Sequence, residues 1–483
     1  MSPFDRVRYE RLLEGLEATE MMLSEVRSEN EKLRIDSGYF AKPMLLAERR
    51  IRAYASGYDE LGAVFSRFVK GIFDINADAY VDEGVPFVRI QNLKDGLIDT
   101  RGLAFLPEDL HEAESKTQLL KGDIVLSKTA YPAASLVTLE RANTSQDTIA
   151  TTLSEYGRAH FRASAVVAYL NSTTGQALLW RQFQGNVQLH LSLDDGRKVP
   201  MPRLSDRLQA AVEECFGKAE TLRSSATLHI ARAEQSLLHA LGLDAWIPPE
   251  ALSYVRTSSQ AFAAGRLDAQ FFAPRVEQLL ARLGRDGLRL SDVAPARHER
   301  FEPTGSGDFD YIEIGSLGAD GTAASESVPM AEAPSRATQH VRAGDVITST
   351  VRPIRRLSAL IAREQDGAVC SSGFVVLQPQ GISGEVLLTY LRLPLFCELM
   401  DLHTSATMYP AISESDLLAL PIPAIAPSVQ AQVQDAVRQS AHARQRASRL
   451  LDAAKRAVEI AIEDSEAAAL AHLTAANPPD AAA

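Results

Sequence analysis

The sequence predicts a mixed α/β fold. It has two similar domains separated and flanked by long coiled-coil helices, with a pseudo-two-fold internal repeat. Three observations predict it. Short motifs recur in the same order about half a chain apart. Three segments poor in glycine and proline carry apolar residues at helical spacing. Between them lie β-branched runs broken by turn residues.

The repeat sets the frame. "LKGDIVLSKTAYP" (120–132) returns as "VRAGDVITSTVRP" (341–353), an offset of 222 from Gly122 to Gly344. "RIDSGYFAKP" (34–43) returns as "RLDAQFFAPR" (266–275), and "VPFVRIQNLKDG" (85–96) as "FDYIEIGSLGADG" (309–321). "VAYLNSTTGQ" (167–176) aligns with "LTYLRLPLFC" (388–397), and "VPMPRLSDRLQ" (199–209) with "LPIPAIAPSVQ" (420–430). A period this long excludes a solenoid, so each unit is a whole domain plus a connector. Gly122-Asp123 and Gly344-Asp345 read as structural: glycine permits the turn, and aspartate bonds nearby backbone N–H groups as the strand starts.

The helices follow in chain order. The first is expected over Arg6 to Leu33, with a seam of Leu12, Leu16, Thr19, Leu23, Val26, Asn30 and Leu33. The second spans about Ser205 to Leu241, with the stripe Leu208, Val212, Cys215, Ala219, Leu222, Ala226, Ile230, Ala233 and Leu237, and Gly242 as its stop. The third spans about Ser428 to Leu470, striped by Val429, Val433, Val437, Ala447, Leu451, Ala454 and Val458 and interrupted by Ser440 and Arg444. Stripes this narrow call for a partner helix. The expected organisation is therefore an N-terminal helix (1–33), a first domain (34–203), a spacer helix (204–242), a linker (243–265), a second domain (266–423), a C-terminal helix (424–470) and a disordered tail (471–483). Each domain ends in Pro-x-Pro, at Pro200-Pro202 and Pro421-Pro423, after which a helix can begin.

Composition narrows the function. Apolar residues make up 46% and charged residues 23%, ordinary for a globular protein. Three cysteines (Cys215, Cys370, Cys397) cannot all pair and lack metal spacing, which suits a reducing compartment. With neither a signal core nor an apolar span, a cytoplasmic protein that does not engage a membrane is expected. A net charge of −12 argues against unaided, non-specific nucleic-acid binding.

The repeated "GDIVLS"/"GDVITS" strands, the "FVRIQNLKDG"/"YIEIGSLGADG" pair, the openings "RIDSGYF"/"RLDAQFF" and the Pro-x-Pro before a long helix resemble the specificity subunit of type I restriction-modification systems. The resemblance covers about Arg6 to Leu470. It implies a non-catalytic chain whose mixed regions are target-recognition domains, each reading half of a bipartite site in double-stranded DNA. The helices would set the unspecified gap. Two methyltransferase subunits, which bind S-adenosylmethionine, would dock on the chain, and restriction subunits using ATP and Mg would join where present. The chain itself would carry no cofactor. The partners would supply much of the positive surface, so the lone chain is expected to bind DNA poorly.

Candidate DNA contacts sit in matching loops. After the second Gly-Asp strand come Arg352, Arg355 and Arg356; after the first come Lys128, Thr129 and Tyr131. Late in each domain, "QGNVQLHLS" offers Asn186, Gln188 and His190, and "TSATMYPAIS" offers Thr404, Thr407 and Tyr409. Arginine suits phosphate and the paired acceptors of guanine, and the other polar groups are of the kind that read base edges. For each residue the competing reading is loop surface or a polar group satisfied within the fold.

Other motifs carry little. "NPPD" (477–480) lacks the aromatic of the adenine-methyltransferase motif, Glu114 and Lys116 read as surface, and "IGSLGADG" does not open a helix on a phosphate. There is no P-loop, and the histidines are scattered. The rival class is a coiled-coil scaffold with duplicated protein-binding domains.

Overall fold

The computed structural model describes residues 5–13, 18–28, 30, 32–185, 188–318, 320–404 and 410–477. The chain divides into two units, one built from Met1–Leu222 with Gln445–Ala483, the other from Arg223–Arg444.

In unit 1, a six-stranded sheet runs in the order Phe65–Lys70, Thr148–Leu153, Ile124–Ser127, Ala134–Leu136, Leu97–Ile98, Leu93–Lys94. A four-stranded sheet has the order Ala104–Leu106, Val85–Val88, Arg141–Thr144, Leu119–Leu120, its middle pair parallel. Unit 2 repeats both motifs. Phe374–Leu377, Val346–Ser349 and Ser358–Leu360 form a three-stranded sheet. Glu326–Pro329, Asp308–Ile312, Val369–Ser371 and Ala337–His340 form a four-stranded sheet, again with a parallel middle pair. The sequence duplication is thus a duplication of sheet order.

Side-chain contacts repeat as well. Asp123 accepts Leu120 N at 2.9 Å and pairs with Arg67 at 2.6 Å; Asp345 accepts Arg342 N at 2.8 Å and pairs with Arg297 at 2.7 Å. The glycines before them have φ of 92° and 89°, which a side chain would strain. Buried Tyr169 donates to the Pro200 carbonyl at 2.5 Å, and Tyr390 to Pro421 at 2.7 Å. Each Pro-x-Pro is therefore also the acceptor for a core tyrosine. At the domain openings, Arg34 bonds Asp36 at 2.8 Å and lies 4.6 Å over Tyr39; Arg266 bonds Asp268 at 2.7 Å and lies 4.7 Å over Phe271.

The helix Asp206–Leu241 runs 36 residues, about 54 Å at 1.5 Å per residue. Its first part contributes Leu208, Val212, Cys215 and Ala219 to the unit 1 core, where they join Ala447, Leu451, Ala454 and Val458. Its later part contributes Ala233 and Leu237 to the unit 2 core with Val433 and Val437. The predicted stripes are these buried rows. The two interruptions have partners: fully buried Ser440 donates to the Ala226 carbonyl at 2.8 Å, and Arg444 pairs with Asp320 at 3.2 Å. A hydroxyl that finds a carbonyl across the helix pair costs little inside a seam.

Three expectations need correction. The N-terminal segment is not one helix: Arg6–Leu12 and Leu23–Ser28 are helical, but residues 18–22 between them are not. Seam residue Asn30 instead closes a turn, its amide donating to the Arg34 carbonyl and its carbonyl accepting Arg34 N. The C-terminal helix is two: Pro427–Glu463 ends, and Ser465 caps a further helix, Glu466–Ala476. Residues 471–476, expected to be tail, therefore belong to the fold, with Leu473 buried. The expected linker 243–265 holds a capped helix, Ser258–Ala264, whose Gly265 has φ 64°.

Candidate nucleic-acid interface

In unit 1 the strand Ile124–Ser127 leads into a loop closed by its own serine. Ser127 Oγ accepts Ala133 N at 2.7 Å and donates to the Tyr131 carbonyl. At the loop's apex Ala130 has φ 63°, a left-handed conformation that costs an alanine about 1–2 kcal/mol. The loop is laced to the late segment: Ala130 N donates to the Leu189 carbonyl at 3.1 Å and Leu191 N to the Lys128 carbonyl at 2.8 Å. Thr129 and His190 form a β-bridge. Gly185 turns that segment with φ 132°, where a Cβ would stand 2.2 Å from the Gln188 carbonyl.

Unit 2 builds the same clasp. Val351 bridges Ala411, Arg352 N donates to the Pro410 carbonyl at 2.9 Å, and Ile412 N donates to the Thr350 carbonyl at 3.0 Å. Arg352, 222 residues after Ala130, is also left-handed, with φ 50°. Two polar loops about 60 residues apart in sequence are thus held side by side in each unit. Local strain kept twice at one position marks a place where loop geometry matters.

The structure sorts the candidates. In unit 1, Tyr131, Gln188 and His190 are exposed and Lys128 is half-buried. Burial, and then the neighbouring Lys70, hold the Lys128 ammonium below its usual pKa against the pull of Asp147. Thr129 points inward instead: it is 9% exposed and its hydroxyl donates to the Asp147 carboxylate at 3.3 Å. In unit 2, Arg355 is exposed and Arg352 half-buried. Arg356 is engaged by the protein, pairing with Glu234 and donating to the Arg392 carbonyl at 2.6 Å. Arg392 returns a bond to the Arg356 carbonyl at 2.6 Å, so this arginine fixes the loop rather than tipping it. Thr404 donates to the Asp401 carbonyl at 2.7 Å and closes the helix Pro394–Leu402. Asn186, Thr407 and Tyr409 lie outside the described residues. Lys70, brought beside Lys128 by strand pairing, carries no motif or periodicity that would single it out in the sequence.

Among the described residues, no group of three or more His, Cys, Asp or Glu side chains is placed to hold a metal, and no helix is long and apolar enough to cross a membrane.

No protein-family profile and no curated protein matches the chain. Among solved structures it is similar to the type I restriction-modification S subunit from M. genitalium, at 12% identity over 88% of this chain and 97% of that one, with a TM-score of 0.36. It is also similar to the HsdS subunit from Thermoanaerobacter tengcongensis, at 17% identity over 88% and 96% of the two chains, with a TM-score of 0.25. A chain from a type I R-M system assembly matches at 16% identity over 87% and 96%, with a TM-score of 0.23.

Proposed function

We propose that this chain is the DNA-recognition subunit of a type I restriction-modification complex, each unit reading one half of a bipartite site. The observation that carries the reading is the duplicated clasp. Each unit holds two polar loops together by paired backbone bonds, and the loop sequences differ between units while the frame does not. That is the arrangement required of two readers sharing one scaffold and recognising different bases. Lys128, Tyr131, Gln188 and His190 serve the first half-site, and Arg352 and Arg355 the second. The long helices set the unspecified gap between half-sites and dock two methyltransferase subunits, which bring S-adenosylmethionine. Restriction subunits with ATP and Mg join where they exist. The chain itself performs no catalysis and works in the cytoplasm.

With a net charge of −12, the chain relies on its partners for phosphate neutralisation. Fluorescence anisotropy with a labelled duplex tests this: binding should be weak for the purified chain and tight for the complex. Tight sequence-specific binding by the lone chain would refute it. Removing a few residues from the helix Asp206–Leu241 while keeping its seam should change the gap and leave both half-sites as they were. A scaffold for proteins would show no DNA motif to change.

A further inference from the structure

Beside the unit 1 clasp, the segment after strand Phe65–Lys70 turns sharply and presents an aromatic side chain to solvent. Phe73 is 70% exposed. Its turn is anchored at the base. Gly71 lies so close to the segment after strand Arg141–Thr144 that a Cβ would stand 2.2 Å from the Ser145 carbonyl, and Gly71 N donates to the Thr148 carbonyl at 3.1 Å. Ile72 is buried, bridges Ser145, and donates its N–H to the Thr144 carbonyl at 2.8 Å. Asp74, next in line, is left-handed with φ 57°. The chain therefore bends at Phe73 and Asp74, just past the buried Ile72.

The charge beside the exposed ring points to the kind of occupant it suits. Lys70 Nζ lies 4.2 Å from the ring centroid, and Lys70 is close enough to Lys128 to lower its affinity for a proton. An ammonium group against an exposed apolar ring suits a polyanion that carries flat apolar faces between its charges.

We infer that Phe73 is a DNA wedge of the first half-site. Its ring packs against or between bases at one step, while Lys70 holds the adjacent phosphate. The inference rests on the reading above and adds a residue and a mode of contact: a shape-dependent element read through how easily a base step unstacks.

The test uses the full complex of this chain with its methyltransferase partners, on duplexes carrying 2-aminopurine at successive positions of the first half-site. Binding should raise fluorescence at one step. Phe73→Ala should abolish that rise and weaken binding about five- to a hundredfold, the range of one lost base–aromatic stack. Phe73→Leu should keep part of the signal, because an aliphatic wedge also unstacks bases. Selectivity at the second half-site should stay as in the wild type. The wedge is overturned if methylation depends on the chain yet Phe73→Ala leaves both signal and affinity unchanged. If methylation does not depend on the chain, the recognition reading fails and the wedge falls with it.

Discussion

Replacing Asp345 with alanine should destabilise unit 2 and, on the proposed function, blur the second half-site alone. Asp345 is 3% exposed and accepts three N–H groups: Arg297 Nε at 2.7 Å, Arg297 Nη2 at 3.1 Å and Arg342 N at 2.8 Å. Removing one partner of a buried pair typically costs about 3–5 kcal/mol, because the other charge stays behind unsatisfied. Glu299 lies 3.6 Å from Arg297 and takes up part of that charge, which places the cost near the lower end, about 3 kcal/mol. For a unit of this size, each kcal/mol lowers the melting temperature by about 2–4 °C, so a drop of about 6–12 °C is expected. Asp345→Asn keeps an acceptor for Arg342 N and should lose less, about 1–2 kcal/mol. Asp345 starts the strand Val346–Ser349, which carries the loop of Arg352 and Arg355. Scanning calorimetry and methylation on substrates varied in one half-site at a time provide the readouts. An unchanged unit 2 transition, or equal loss of discrimination at both half-sites, would refute the reasoning.

Three further outcomes follow from the structure. His111 is buried with its ring against the Asn143 amide, and burial holds its pKa below the ordinary value of about 6.5. Its contribution to unit 1 is therefore present above pH 6.5 and lost as pH falls below that value towards the folded-state pKa. Urea melts across this range should show the loss, and His111→Gln should flatten it. Tyr169→Phe and Tyr390→Phe should cost similar amounts, about 1–2 kcal/mol each by denaturant melts, since each strips the hydroxyl donor from a proline carbonyl in the same place of its unit. Burial raises the Cys215, Cys370 and Cys397 thiols to about 11, 12 and 11, so all three should react with a disulfide reagent at pH 8 only once the chain unfolds.

The duplication was legible because it rests on residues with fixed backbone jobs. The Gly-Asp pairs, the core tyrosines and the Pro-x-Pro acceptors recur at nearly constant offset and make the same bonds in both units. The helix stripes were legible because burial along a long helix repeats every three or four residues. Their breaks were not. Whether Ser440 spoils a seam or completes it depends on the Ala226 carbonyl, more than 200 residues away. Asn30 fits a heptad by position but forms a turn with Arg34, a local bond that a seam count does not register. Loop composition singled out two polar loops per domain, but the pairing of those loops is tertiary. Arg356 looks like its neighbour Arg355 in sequence; only the placement of Glu234 and the Arg392 carbonyl separates them.

The central claim is that this chain, and each of its domains separately, chooses the methylated sequence. Base-modification sequencing of DNA from cells expressing the partner methyltransferase tests it most directly. Three cultures are compared: without this chain, with it, and with residues 34–203 exchanged for those of a similar chain. The account predicts a split adenine-methylation motif that appears only with the chain, and an exchange that rewrites one half of the motif while leaving the other half and the gap intact. Methylation that is the same with and without the chain would contradict it.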